Sequence, residues 1–276
     1  GYAAANISAV GNINLSQKFN LDTWLKLNPQ VSATLKDASY NDTKKIHLTE
    51  VSGTLKLNGA ALKLSTINAR LNGIKTSFSG NIPNLLKAVV EPYPTMKIIG
   101  TLSVTDAVDY KQIEPLFANG EGKSKITYSV DLQTIVSRFA YVKFVAERAS
   151  AQVIYSDNKL TANGLNFYSF DGRINTNLNY RFGKKRTLLC SGTVSDVDIN
   201  QLFTTFDNFG QTYITSSNID GKLSSTFNLR LPFSADKPDT KEMDFDAHIN
   251  IFNGKLHQLE ATNSIADFTK IDEFRN

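Results

Sequence analysis

The sequence predicts a mainly β protein: an extended, curved antiparallel sheet, a β-groove or open-barrel-like surface, with a few short capping α-helices. Two observations predict it. From Gly172 to Phe182, Ile174, Leu178, Tyr180 and Phe182 alternate with Arg173, Asn175, Asn177, Asn179 and Arg181, and that period of two marks a half-buried strand. The same beat returns at Val51 to Leu57, Ile126 to Leu132, Gly221 to Leu231 and Phe245 to Ile251. Between such runs stand Asn58-Gly59, Asn72-Gly73, Asn163-Gly164, Asp171-Gly172, Asp220-Gly221 and Asn253-Gly254. These pairs tolerate the positive φ that tight turns and bulges need, so they point to hairpins and meanders rather than βαβ crossovers.

Helical spacing is confined to three short segments. Pro83 to Val90 places Leu85, Leu86 and Val89 after a proline suited to a first helical turn. Asp109 to Phe117 carries Tyr110, Ile113, Leu116 and Phe117, with Pro115 expected to distort or end the helix. Asp198 to Phe209 carries the stripe Ile199, Leu202, Phe203, Phe206 and Phe209, with Gly210 as its stop. Each segment follows a Gly-containing strand end, a weak internal repeat that suggests stacked units. The cluster Asn119-Gly120-Glu121-Gly122 divides the chain into an N-terminal β-rich half, 1–120, and a C-terminal half, 121–276.

At 276 residues and 41% hydrophobic content the chain can bury a core. Thirty Lys and Arg against 26 Asp and Glu are interspersed in sign, which argues against a nucleic-acid surface. The single cysteine, Cys190, lies in an apolar run and reads as a buried thiol that cannot form an internal disulfide. No stretch approaches the roughly 20 apolar residues of a membrane helix. The opening Gly1-Tyr2-Ala3-Ala4-Ala5-Asn6 lacks the charged and apolar regions of a signal, and the expectation is a fragment of a longer protein.

Catalytic constellations are lacking. His248 shares a strand face with Asp244 and Asp246, but that is the polar side of the strand carrying Phe245, Ala247, Ile249 and Ile251, so a solvated face is favoured over a metal site. Gly120-Glu121-Gly122-Lys123-Ser124 resembles the tail of a phosphate loop, yet Phe117 stands where its first glycine belongs and a strand follows instead of a helix. Glu91, Glu114 and Glu147 are scattered carboxylates with no spacing that pairs them. No enzyme, metal or cofactor is predicted.

Aromatic residues make up 10% of the chain, and one apolar sheet face with few helices leaves much to cover. Either a second sheet packs there or something lipid-like does.

The C-terminal half resembles the AsmA-like family of bacterial envelope proteins, in its Bacteroidetes form. Leu165-Asn166-Phe167-Tyr168-Ser169-Phe170-Asp171-Gly172-Arg173-Ile174 is similar to its strand, glycine, strand signature, and Ser195 to Phe203 to its short helix. Phe206 to Gln211, Ile214 to Leu223, Ile251 to Leu256 and Ile265 to Ile271 follow in the family's order. The likeness covers about 140–276; residues 1–139 share only the strand pattern.

That resemblance implies a non-catalytic periplasmic protein, held at the inner membrane by an N-terminal helix that this chain lacks. It also implies a repeating β-groove that carries or shields lipid acyl chains, serving lipid transport or outer-membrane biogenesis, with other envelope proteins as possible partners. No catalytic residues come with it. The expected groove lining is Leu55 and Leu57; Ile126, Tyr128 and Val130; Ile174, Leu178 and Tyr180; and Leu223, Phe227 and Leu229. The alternative is a β-sandwich module for glycan or protein at the cell envelope, its apolar face closed by a second sheet, with Trp24 or Tyr93 exposed on a loop.

Overall fold

A computed structural model describes residues 2–8, 29–42, 46–90, 95–117, 127–183, 185–234 and 237–257. The chain divides into two compact units, residues 1–139 with 149–163, and residues 140–148 with 164–276. The turn cluster at 119–122 lies outside the described residues, as do Trp24 and Tyr93.

In the first unit β1 (Tyr2–Ser8), β2 (Gln30–Asp42), β3 (Ile46–Asn58), β4 (Ala61–Leu71), β5 (Ile74–Ile82) and β6 (Thr95–Asp109) pair antiparallel in chain order. β7 is Thr127–Tyr141, and β8 (Phe144–Ser156) and β9 (Lys159–Ser169) contribute residues to both units. In the second unit β10 (Gly172–Arg181), β11 (Arg186–Asp198) and β12 (Ile219–Ser234) pair antiparallel in the same way. The short β13 (Lys237–Pro238) and the long β14 (Asp244–Leu256) both bond to β12. The expected class, mainly β with antiparallel pairing and a few short helices, is the observed one.

One pair departs from that rule. Thr95 and Thr127 meet hydroxyl to hydroxyl at 2.7 Å, and ten residues further along each strand the Ser137 hydroxyl donates to the Thr105 carbonyl at 2.6 Å. The contacts fall in the same order on both strands, so β6 and β7 run in the same direction. Co-directional neighbours cannot be joined by a tight turn.

The turn signals divide into two kinds. Asn72-Gly73 closes the β4–β5 hairpin with both residues at positive φ, and Phe170-Asp171 closes β9–β10 likewise. Asn163-Gly164, Asp220-Gly221 and Asn253-Gly254 instead lie inside long strands. The ladder slips beside Gly221, between Asp220 and Lys222. Further bulges occur where no glycine announces them. Asp37, Glu50 and Thr66 have positive φ in the adjacent strands β2, β3 and β4, at the register shifts of that ladder. A bulge bends its strand and raises the local twist, so three side by side curve the sheet at that point.

Among the described residues three short helices follow strand ends, as the repeat predicts: α1 (Leu85–Val90), α2 (Tyr110–Phe117) and α3 (Ile199–Thr205). Asn84 fastens the start of α1 to β6, donating to the Thr95 carbonyl and accepting from the Lys97 amide. A capping box opens α2, with Asp109 accepting from the Lys111 amide and Gln112 reaching back to the Asp109 amide. The helix runs two residues past Pro115. Asp198 caps α3 by accepting from the Gln201 amide at 3.0 Å. The continuous helix expected over Asp198 to Phe209 breaks at Phe206, because Asn208 and Phe209 both adopt φ 54° within a 3-10 turn, Asp207–Gly210.

The deepest packing is local. Val197 (0% exposed) and Ile199 (1%) form a plug at the head of α3, with Phe170 and Ile219 also buried. Next to it Phe144, Phe167, Phe170 and Phe206 make a ring cluster with centroids 5.9–6.5 Å apart. Such edge-on and tilted pairs add to their area burial. Among the described residues, the strand–strand contacts are those of ladder neighbours.

Candidate functional site

Residues directly opposite in an antiparallel ladder share a face, so the register converts the alternation into continuous apolar rows. In the first unit Val31, Leu57, Leu62 and Ile82 form one row across β2 to β5, and Ala33, Leu55, Leu64, Gly80 and Gly100 form the next, reaching β6. Phe78, opposite Leu102, lays its ring over the glycine pair: a Cβ on Gly80 would stand 2.7 Å from Phe78 Cζ, and one on Gly100 3.0 Å from its Cε2. The ring covers backbone that glycine leaves bare.

The second unit repeats the construction. One row is Leu178, Cys190, Leu229 and Phe245; the next is Thr176, Gly192, Phe227 and Ala247; then come Ile174, Val194, Ser225 and Ile249, followed by Val197, Leu223 and Ile251. Aromatic groups bracket these rows. Tyr180 meets Phe182 and Phe233 edge-on at one end, and the Phe144 cluster with α3 stands at the other.

The predicted lining residues therefore meet within each unit. Leu55 and Leu57 share the first face, and Ile174, Leu178, Tyr180, Leu223, Phe227 and Leu229 share the second, all of them half-buried. Tyr128 is exposed and Val130 half-buried on β7; Ile126 lies outside the described residues. Half-burial leaves part of each of these side chains in contact with solvent. On β14, which pairs with β12 alone among the described residues, exposure is greater still, with Phe245 at 58%, Ile249 at 51% and Ile251 at 49%. Leu62, Leu64, Leu188, Val194 and Phe245 belong to the rows as well. Their alternation with Lys63, Leu189 and Asp246 was the available signal.

The polar face carries the remaining candidates. Asp244, Asp246 and His248 lie on the reverse of β14 from Phe245 and Ile249, and no group of three metal-ligating side chains is gathered among the described residues. Glu91 and the Glu114 side chain lie outside those residues, as does the Gly120 to Ser124 segment. Glu147 lines a shallow depression of about 380 Å³ with Arg148, Tyr168, Asp171 and Gln201, where the Arg148 guanidinium sits 4.1 Å over the Tyr168 ring. Cys190 is half-buried, its sulfur 3.1 Å from the Thr176 hydroxyl. Among the described residues no helix is long and apolar enough to cross a membrane.

Compared with known protein families, with curated proteins and with solved structures, the chain finds no match.

Proposed function

We propose that the chain holds or conducts lipid acyl chains along its apolar sheet face, as a non-catalytic component of the bacterial envelope related to the AsmA-like proteins. The observation that carries this is the set of apolar rows, several strands wide, most of whose side chains stay half-buried or exposed. Burying an acyl chain there would gain about 0.8 kcal/mol per methylene, spread over many equivalent contacts. Such a surface retains a chain without fixing its position, which suits transfer better than storage. The residues of the rows act as a solvent for the tail, so no single one is essential. A periplasmic location, anchoring at the inner membrane and a part in lipid transport or outer-membrane biogenesis belong to the same proposal.

The test is mass spectrometry of lipids extracted from the purified protein, with Phe227→Asp and Leu229→Asp as comparison. Co-purifying lipid in the parent, reduced in both variants while their circular dichroism is unchanged, is the expected result. Protein that carries no lipid and takes up no fluorescent acyl probe from vesicles would remove the proposal and leave a glycan- or protein-binding module in its place.

A further inference from the structure

We infer that the polar face of the first unit carries a binding site for a phosphoryl group, centred on Lys56 and Lys63. These lysines are direct register partners on β3 and β4. Their neighbours in the same row are Ser32 on β2 and Asn81 on β5. The four line one depression of about 490 Å³, together with Gln30 and Asn58. Like charges directly opposite in a ladder repel, and the described lining of the depression offers them no carboxylate. Both side chains are exposed, and neither forms an ion pair among the described residues.

Two other depressions are different. The one of about 620 Å³ around Arg70 contains Asp37 and Glu50, with Arg70 Nε bound to Glu50 at 2.9 Å, and the one around Arg148 contains Glu147 and Asp171. In those places cations face anions supplied by the protein. At Lys56 and Lys63 the described lining supplies no anion, which leaves the pair open to one from outside.

The donor set selects its chemistry. Opposed Cβ atoms in a ladder stand about 5 Å apart, so two flexible four-carbon stems can bring both ammonium groups onto one tetrahedral oxyanion. Lysine binds phosphate as a compact point charge with three donors. The Asn58, Asn81 and Gln30 amides and the Ser32 hydroxyl add neutral donors, and glutamine and asparagine also accept from an ester hydroxyl. Since Lys56 lies between Leu55 and Leu57, the site is on the reverse of the apolar rows, and it stands whether or not lipid occupies those rows. The phosphoryl group can belong to a small soluble phosphate or to a lipid head group.

Two probes separate these sources: inorganic pyrophosphate titrated calorimetrically at constant ionic strength, and vesicles of phosphatidylcholine with and without phosphatidylglycerol. Saturable binding of one probe or both is expected from the parent chain. Lys63→Glu should weaken it at least tenfold, about what one charge-assisted contact supplies. That variant turns a repulsive pair into an attractive one, so its melting temperature should not fall, which separates lost binding from lost fold. Lys56→Gln should weaken binding in the same direction. Lys159→Glu, with the same change in net charge on another strand, should bind as the parent does. Binding of pyrophosphate alone assigns a soluble ligand, and binding of phosphatidylglycerol vesicles alone a head group. Failure of the parent to bind either probe, parental affinity in Lys63→Glu, or equal loss in Lys159→Glu would each overturn the site.

Discussion

The first unit and the second each build apolar rows but hold them differently. In β2 to β6 the rows of Leu55, Leu57, Leu62 and Leu64 depend on their ladder neighbours, and the described buried side chains of that unit, such as Val51, Ile74 and Val108, are scattered one to a strand. In β10 to β12 and β14 equivalent rows end against a packed plug, Val197, Ile199 and Ile219, with the Phe144 ring cluster alongside. A sheet can leave one face half-bare if its stability is anchored elsewhere, and the second unit shows where: at the head of α3.

That contrast is most exposed to a test by truncation. Ile199→Ala empties a site that is 1% exposed, and such deletions cost about 2–5 kcal/mol. Leu57→Ala removes a half-buried side chain from the first face and should cost about 1 kcal/mol, because its water contact is only partly lost on folding. Urea unfolding of the whole chain measures both. Equal losses would mean that the apolar face is ordinary core, and the difference between the units would vanish.

A smaller effect separates two glycines that serve the same purpose. A Cβ on Gly192 would lie 2.2 Å from the Asn175 carbonyl oxygen and 2.7 Å from Thr176 Cα; one on Gly100 would lie 2.3 Å from the Ser79 oxygen and 2.8 Å from Gly80 Cα. Both alanine variants crowd a facing backbone, for which about 1–3 kcal/mol is typical. Gly192→Ala should fall at the upper end, since the Thr176 hydroxyl opposite is bonded to the Ser191 carbonyl at 2.9 Å and cannot withdraw freely. Gly100→Ala faces another glycine and a Phe78 ring that can swing aside. Melting temperatures of the two variants would sharpen the comparison, and a larger loss for Gly100→Ala would reverse it.

How much of this was legible in the residues follows from the period of each interaction. Ile174, Leu178 and Tyr180 announce their face because side-chain direction alternates along any strand, and the register then places Leu229 and Phe227 beside them. The bulges at Asp37, Glu50, Thr66 and Asp196 were not legible, since none has the glycine that marks positive φ and each arises from the fit between neighbouring strands. Phe206 and Phe209 continue a helical stripe in the sequence, but the chain leaves the helix at Phe206 and they stack at 5.6 Å in the turn beyond it. The left-handed backbone at Asn208 and Phe209 ends the helix that the stripe predicts. The opposition of Lys56 and Lys63 depends on the length of a single hairpin and is invisible until the ladder is known. Groove lining was likewise readable strand by strand, while its extent across strands required the pairing.

The smallest expected difference lies in the ion pairs that tie each unit's polar face. Arg230 Nε bonds Asp244 Oδ2 at 2.6 Å and links β12 to β14, but the two side chains are 46% and 72% exposed. Exposed pairs contribute about 0.2–1 kcal/mol, reduced by salt. Arg70 is 30% exposed and works harder, since it also donates to the Gly73 carbonyl at 3.0 Å and stands 3.7 Å from Asp106. Arg70→Ala should therefore cost about 1 kcal/mol, against at most about 0.5 for Arg230→Ala. In high salt the Arg230 effect should disappear, while part of the Arg70 effect persists through its bond to the backbone carbonyl of the β4–β5 turn. Unfolding both variants at low and high sodium chloride separates the contributions. If Arg230→Ala proved the more damaging in high salt, pairing with β14 would be holding the second face together, and the plug at α3 would not be its anchor.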